Sequence, residues 1–169
     1  MKVLVTYYSE TGNTEKLAKA IFEGAGRVDK ELMPIDQVGD LEKYELIFCG
    51  FPVHSSSVPG KVQEFLKRLP EGKKLALFAT HGSLRGGQLA TTAFDYATSL
   101  AKNTRVIGTF GCRGKVKQDL LEALLQKPEH RAWAEEAQSS AATHPDDGDL
   151  EDGKNFAQRV MDKAHFGKD

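Results

Sequence analysis

The strongest constraint on how this chain can fold lies in its first two dozen residues. Val3-Leu4-Val5-Thr6-Tyr7-Tyr8 is a nearly continuous apolar, β-branched and aromatic run, the pattern of a strand buried on both faces of a parallel sheet. The polar segment Ser9-Glu10-Thr11-Gly12-Asn13-Thr14 follows at once. The apolar positions then switch to helical spacing, with Leu17, Ala18, Ile21 and Phe22 on one face and Glu15, Lys16, Lys19 and Glu23 outside, before Gly24 and Gly26. Strand, turn and helix in immediate succession open a βαβ unit, and such units require a parallel sheet covered by helices on both faces.

The rest of the chain repeats the alternation. Glu31 to Ile35 predicts a weaker second strand, Glu45 to Gly50 a third, Lys74 to Thr80 a fourth and Arg105 to Phe110 a fifth. Pro59 sits where a first-turn proline belongs, ahead of Val62, Phe65, Leu66 and Leu69 at helical spacing. Gln88 to Lys102 predicts a helix that buries Leu89, Ala93, Tyr96, Ala97 and Leu100. The expected fold is α/β: one doubly wound five-stranded parallel sheet in the order 2-1-3-4-5, with ligands at the carboxyl ends of its strands. The chain is expected to form one domain over residues 1–169. An added segment, 112–145, carries two short helices (Lys117 to Gln126 and Glu129 to Ala141) and overhangs the site end. A last helix starts in the acidic cluster Asp146-Asp147-Gly148-Asp149, which suits capping, and buries Leu150, Phe156, Ala157, Val160, Met161 and Ala164.

The segment between strand one and helix one has the chemistry of a phosphate cradle. Ser9, Thr11 and Thr14 offer hydroxyls, Asn13 an amide and Gly12 an open backbone, while the helix N-terminus adds unpaired N–H groups and positive dipole. A plain cap at Asn13 or Thr14 would explain one residue of the run and leave the others without a role. Neither Lys nor Arg occurs between Ser9 and Thr14, so dipoles and hydroxyls must meet the phosphate charge, and Glu10 is expected to point into solvent.

A hydrophobic strand followed by Ser-x-Thr-Gly-Asn-Thr resembles the FMN phosphate loop of the flavodoxin family. The resemblance covers Met1 to about Cys112, plus the last helix. It implies noncovalent FMN, with the phosphate at Ser9, Thr11, Gly12, Asn13 and Thr14 and the ring held by two further loops. By position these are Pro52-Val53-His54-Ser55-Ser56-Ser57 after strand three and Thr80-His81-Gly82-Ser83-Leu84 after strand four, with Cys112 approaching from strand five. Two features depart from the family pattern. Where flavodoxins usually carry an aromatic residue followed by glycine, this chain has His54 and a run of serines, and its net charge of -1 is far from the strongly acidic balance of that family. The expected function is electron transfer to a redox partner protein or small-molecule acceptor. The alternatives are an FMN-dependent NAD(P)H reductase of a quinone-like molecule and a flavin-free binding module.

The remaining signals bound the partners. Near-cancelling charges leave no broad basic surface for nucleic acid. Cys49 and Cys112 each lie in an apolar stretch and suit a reducing cytoplasm, and no apolar run approaches the roughly 20 residues of a membrane span. A cytoplasmic protein, monomeric by slight preference, is expected. His54 and His81 are candidate flavin contacts or proton donors; Arg85, Arg113 and Lys115 form a candidate cationic rim for an anionic substrate or the flavin O2; Trp133, Phe166 and His130 are candidate lid residues. Gly148, Gly153 and Lys154 have P-loop spacing, but Asn155 replaces the Ser or Thr and no strand precedes them. The histidines lack metal-ligand spacing.

Overall fold

A computed structural model of the chain describes residues 1–54, 57–82, 88–114, 118–140 and 143–167. Strands β1 (Lys2–Tyr7), β2 (Asp29–Pro34), β3 (Leu46–Pro52), β4 (Lys74–His81) and β5 (Arg105–Arg113) form one parallel sheet in the order β2-β1-β3-β4-β5. The helices are α1 (Asn13–Gly24), α2 (Gly60–Lys67), α3 (Gln88–Leu100), α4 (Gln118–Leu125), α5 (Arg131–Ser140) and α6 (Asp147–Phe166).

Successive residues of a strand point to opposite faces, and the core splits accordingly into two layers. Leu4, Ile47, Cys49, Leu75, Leu77 and Ala79 pack under α2 and α3, against Val62, Phe65, Leu66, Ala93 and Ala97. Val3, Val5, Phe48, Ala76, Phe78 and Phe110 pack under α1 and α6, against Leu17, Ile21, Phe156, Ala157 and Val160. Phe156 anchors the second layer, stacked on Phe110 with ring centroids 5.4 Å apart and edge-on to Phe48 at 6.2 Å. Two apolar layers explain why the central strands read as unbroken apolar runs.

Several expectations are adjusted. β2 starts two residues before Glu31 and stops short of Ile35, because its register on β1 runs from Lys2↔Asp29 to Tyr7↔Pro34. β5 continues past Phe110 to Arg113, which pairs with His81. Pro59 is the residue that enters α2 rather than its first helical residue, and Leu69 lies just beyond the helix. Tyr96 is 39% exposed rather than buried, because its hydroxyl donates to Gln63 Oε1 at 3.1 Å on the surface where α2 and α3 meet.

The course of α6 fixes which end of the sheet is which. The Ala164 carbonyl accepts from Lys74 Nζ at 2.9 Å. Since Lys74 opens β4, the last turn of α6 lies at the amino ends of the strands and its start at their carboxyl ends. Phe166, 81% exposed in that last turn, stands at the wrong end of the sheet to cover a ligand and is removed from the candidate lid. The segment between β5 and α6 therefore leaves from and returns to the ligand end. Its helices α4 and α5 share a small apolar cluster of Leu121, Ala134, Leu124, Leu125 and Trp133. Trp133 belongs to that cluster, and His130 is exposed between the two helices.

Candidate functional site

Four chain segments meet at the carboxyl end of the sheet. The first is the turn from β1 into α1. Gly12 is the N-cap of α1 with φ 91° and ψ −7°, a left-handed conformation that costs a residue with a Cβ about 1–2 kcal/mol. Sequence reasoning offered Asn13 or Thr14 as the cap, and both are instead inside the helix. Ser9 Oγ accepts from the Gly12 N–H at 3.0 Å and so fixes the curl of the turn. Among the described residues no side chain caps α1.

The other long N-terminus shows what a closed helix start looks like in the same molecule. At α6, Asp146 Oδ1 accepts from the Asp149 N–H at 2.9 Å and Asp149 Oδ2 accepts from the Asp146 N–H at 3.1 Å, a complete capping box. His144 Nδ1 closes on the Asp149 carboxylate, so His144, Asp146 and Asp149 form a cluster whose ligand atoms lie within 4.8 Å of one another. Capping accounts for this cluster. The α1 terminus has no such side-chain cap among the described residues, and its positive dipole end faces the turn.

The turn is braced by the loops around it. Thr14 and Thr80 place their hydroxyl oxygens 2.9 Å apart, at 1% and 4% exposure, joining the first turn of α1 to the end of β4. The Val53 N–H donates to the Thr80 carbonyl at 2.9 Å, tying the loop after β3 to the same strand end. That loop closes tightly: the His54 N–H donates to the Ser57 carbonyl at 3.0 Å and the Ser57 N–H to the His54 carbonyl at 2.7 Å. Glu10 is exposed, as expected, and also has partners. Its carboxylate accepts from the Tyr8 hydroxyl at 3.2 Å and lies 3.4 Å from His54 Nε2, so it bridges β1 to the loop after β3. Burial raises the pKa of Tyr8, and its bond to Glu10 adds to the shift; burial and Glu15 act likewise on Tyr7. Both phenols thus remain neutral donors well past neutrality.

The expected site residues divide between faces. Ser9, Thr11, Gly12, Asn13 and Thr14 form the turn, with Pro52, Val53 and His54 leaving β3 and Thr80, His81 and Gly82 at the end of β4. Thr80 faces α1. The next residue, His81, points to the opposite layer, where its ring lies over Gly111 of β5 and near Phe94. There it borders a cavity of about 240 Å³ that Ala90, Thr91 and Thr109 also line. Cys112 is buried in the layer under α1 and α6, and burial pushes the thiol of Cys49, in the other layer, up to about 12. Ser55, Ser56, Ser83, Leu84, Arg85 and Lys115 lie outside the described residues. On the β2 side, Tyr7, Tyr8, Ser9, Glu10, Gly12, Glu15 and Asp36 help to line a cavity of about 350 Å³.

Sequence reasoning missed the braces. Thr14 and Thr80 are separated by 66 residues, and Glu10 and His54 lie on different loops. No local pattern links either pair, because strand order is what brings them together.

The chain is similar to several known proteins. The chain is 27% identical over 175 residues to the flavodoxin-like domain-containing protein BilS of Clostridioides difficile strain CD3, with 97% of this chain and 98% of the relative covered. It is 26% identical over 145 residues to an NAD(P)H dehydrogenase (quinone) of Syntrophus aciditrophicus, covering 64% of this chain and 71% of the relative. A flavodoxin structure from the domain Archaea superposes with a TM-score of 0.66 at 19% identity, over 98% of this chain and 99% of the other. The model of the flavodoxin domain matches residues 4–158. With nearly its whole length accounted for by that match, the chain belongs to the flavodoxin domain family.

Proposed function

We propose that this chain binds FMN without a covalent bond and uses it to pass electrons to a protein or small-molecule acceptor. The observation that carries the reading is the open start of α1 among the described residues: a left-handed Gly12 with no atom beyond its chain neighbours within 4 Å of where a Cβ would stand, ahead of a helix with no side-chain cap. A phosphate suits that position because a helix N-terminus presents backbone N–H groups and the positive end of the helix dipole, and no side chain among the described residues caps it. Ser9, Thr11, Gly12, Asn13 and Thr14 would hold the phosphate. The loops at Pro52, Val53, His54 and Ser55 and at Thr80, His81 and Gly82 would flank the ring, with Cys112 behind them. Bound FMN supplies electron transfer in one- or two-electron steps. The protein's part is to orient the ring and restrict water, and Glu10 holds His54 at the edge of the ring loop.

A second reading, an FMN-dependent NAD(P)H reductase of a quinone-like molecule, draws support from the quinone dehydrogenase relative and from the helical segment that starts and ends at the ligand end of the sheet. Titrating the purified apo-protein with FMN tests the shared part: flavin fluorescence should quench with a one-to-one endpoint, and protein that leaves it unquenched refutes both readings. Reductive titration of the loaded protein then separates them. Two resolved one-electron steps fit the carrier; a single two-electron conversion with NAD(P)H turnover of a quinone fits the reductase.

A further inference from the structure

The chain leaves β5 through Gly114, and that residue is pinned between two cofactor loops. Its N–H donates to the His81 carbonyl at 2.8 Å, adding a rung beyond the end of the β4–β5 ladder. Its α-carbon faces Asn13, the first residue of α1. A Cβ built at position 114 would stand 2.9 Å from Asn13 Nδ2 and 3.3 Å from both Asn13 Cβ and Cγ. Real side chains almost never approach so closely. The backbone bond to His81 prevents Gly114 from backing away, and α1 holds Asn13 Cβ in place, so the Asn13 amide is the group that must yield.

We propose that Gly114 is a positioning residue for the phosphate loop: its bare α-carbon fixes the direction in which the Asn13 amide presents its N–H donors. The inference rests on the FMN reading above and extends it to a residue outside the Ser9 to Thr14 loop. The conformation of Gly114 is ordinary, so its value lies in the space it leaves rather than in backbone freedom.

The Gly114→Ala variant tests this through binding by the apo-protein, with riboflavin as the control ligand that lacks the phosphate. G114A should weaken FMN binding about tenfold or more, the loss expected for one displaced hydrogen bond to a charged group, while its riboflavin affinity and apo-protein melting temperature stay close to wild type. In an Asn13→Ala background, where the amide is gone, adding G114A should weaken FMN no further. If G114A alone does not fold, the N13A/G114A double variant should regain folding, because the closest clash has been removed. Unchanged FMN affinity in G114A, equal weakening for FMN and riboflavin, additive losses in the double variant, or a double variant that also fails to fold would each overturn the proposal. Wild-type protein that binds no FMN would instead refute the reading on which it rests.

Discussion

Replacing Gly12 by alanine separates the strain of the phosphate turn from its use. Among the described residues three glycines have positive φ, Gly12 at 91°, Gly26 at 80° and Gly72 at 81°, and no described atom beyond the chain neighbours lies within 4 Å of where a Cβ would stand at any of them. The three are thus matched in both strain and space, but Gly26 and Gly72 precede β2 and β4 and lie at the amino end of the sheet. Holding a Cβ-bearing residue in the left-handed region costs about 1–2 kcal/mol, which lowers the melting temperature of a domain this size by about 2–8 °C. Each of G12A, G26A and G72A should show that same loss in the apo-protein, by calorimetry or circular dichroism. Only G12A should also weaken FMN. Its methyl occupies the cradle, and losing one hydrogen bond to the charged phosphate costs about 1.5–3 kcal/mol, roughly 10- to 150-fold in Kd. Fluorescence titration reads the difference. FMN bound by G12A as tightly as by G26A and G72A would refute the cradle. An apo-protein loss at G12A far beyond that of the other two would show that the empty space around position 12 had been misjudged.

Two further outcomes follow from buried hydroxyls. Thr80→Val leaves the Thr14 hydroxyl buried without its 2.9 Å partner. Urea unfolding of the apo-protein should lose about 1–3 kcal/mol, and the T14V/T80V double variant should lose less than the sum of the single changes. Tyr44, buried at the edge of the core, donates to Glu31. That bond is the main cause holding the Glu31 carboxyl below its ordinary value, while burial first and Glu31 second raise the pKa of Tyr44. A depressed carboxyl adds stability that is lost as pH falls from about 4.3, and a raised phenol adds stability that is lost as pH rises from about 10. The stability advantage of wild type over Tyr44→Phe should therefore be greatest between those limits and shrink on both sides in urea titrations across pH. An advantage that stays flat from acid to alkali would sink this assignment.

The sequence by itself determined the alternation of strands and helices, and with it a parallel sheet, because each element rests on local pattern. Strands buried on both faces read as unbroken apolar runs, amphipathic helices carry their own period, and Ser9 to Thr14 places its hydroxyls, amide and glycine within one turn. The acidic start of α6 was equally legible, since a capping box spans only four positions. Tertiary structure alone decided how the loops brace one another. The Thr14–Thr80 contact, the Glu10 bridge to His54 and the approach of Gly114 to Asn13 join residues far apart in the chain, and only strand order and register bring them within reach. The same limit applied to direction. Thr80 and His81 are neighbours in sequence, yet the pleat turns one toward α1 and the other beneath α3, and Phe166 falls at the far end of the sheet because a twenty-residue helix carries it there. The residues of the turn after β1 were written in local chemistry, whereas their bracing depends on separations that no local pattern records.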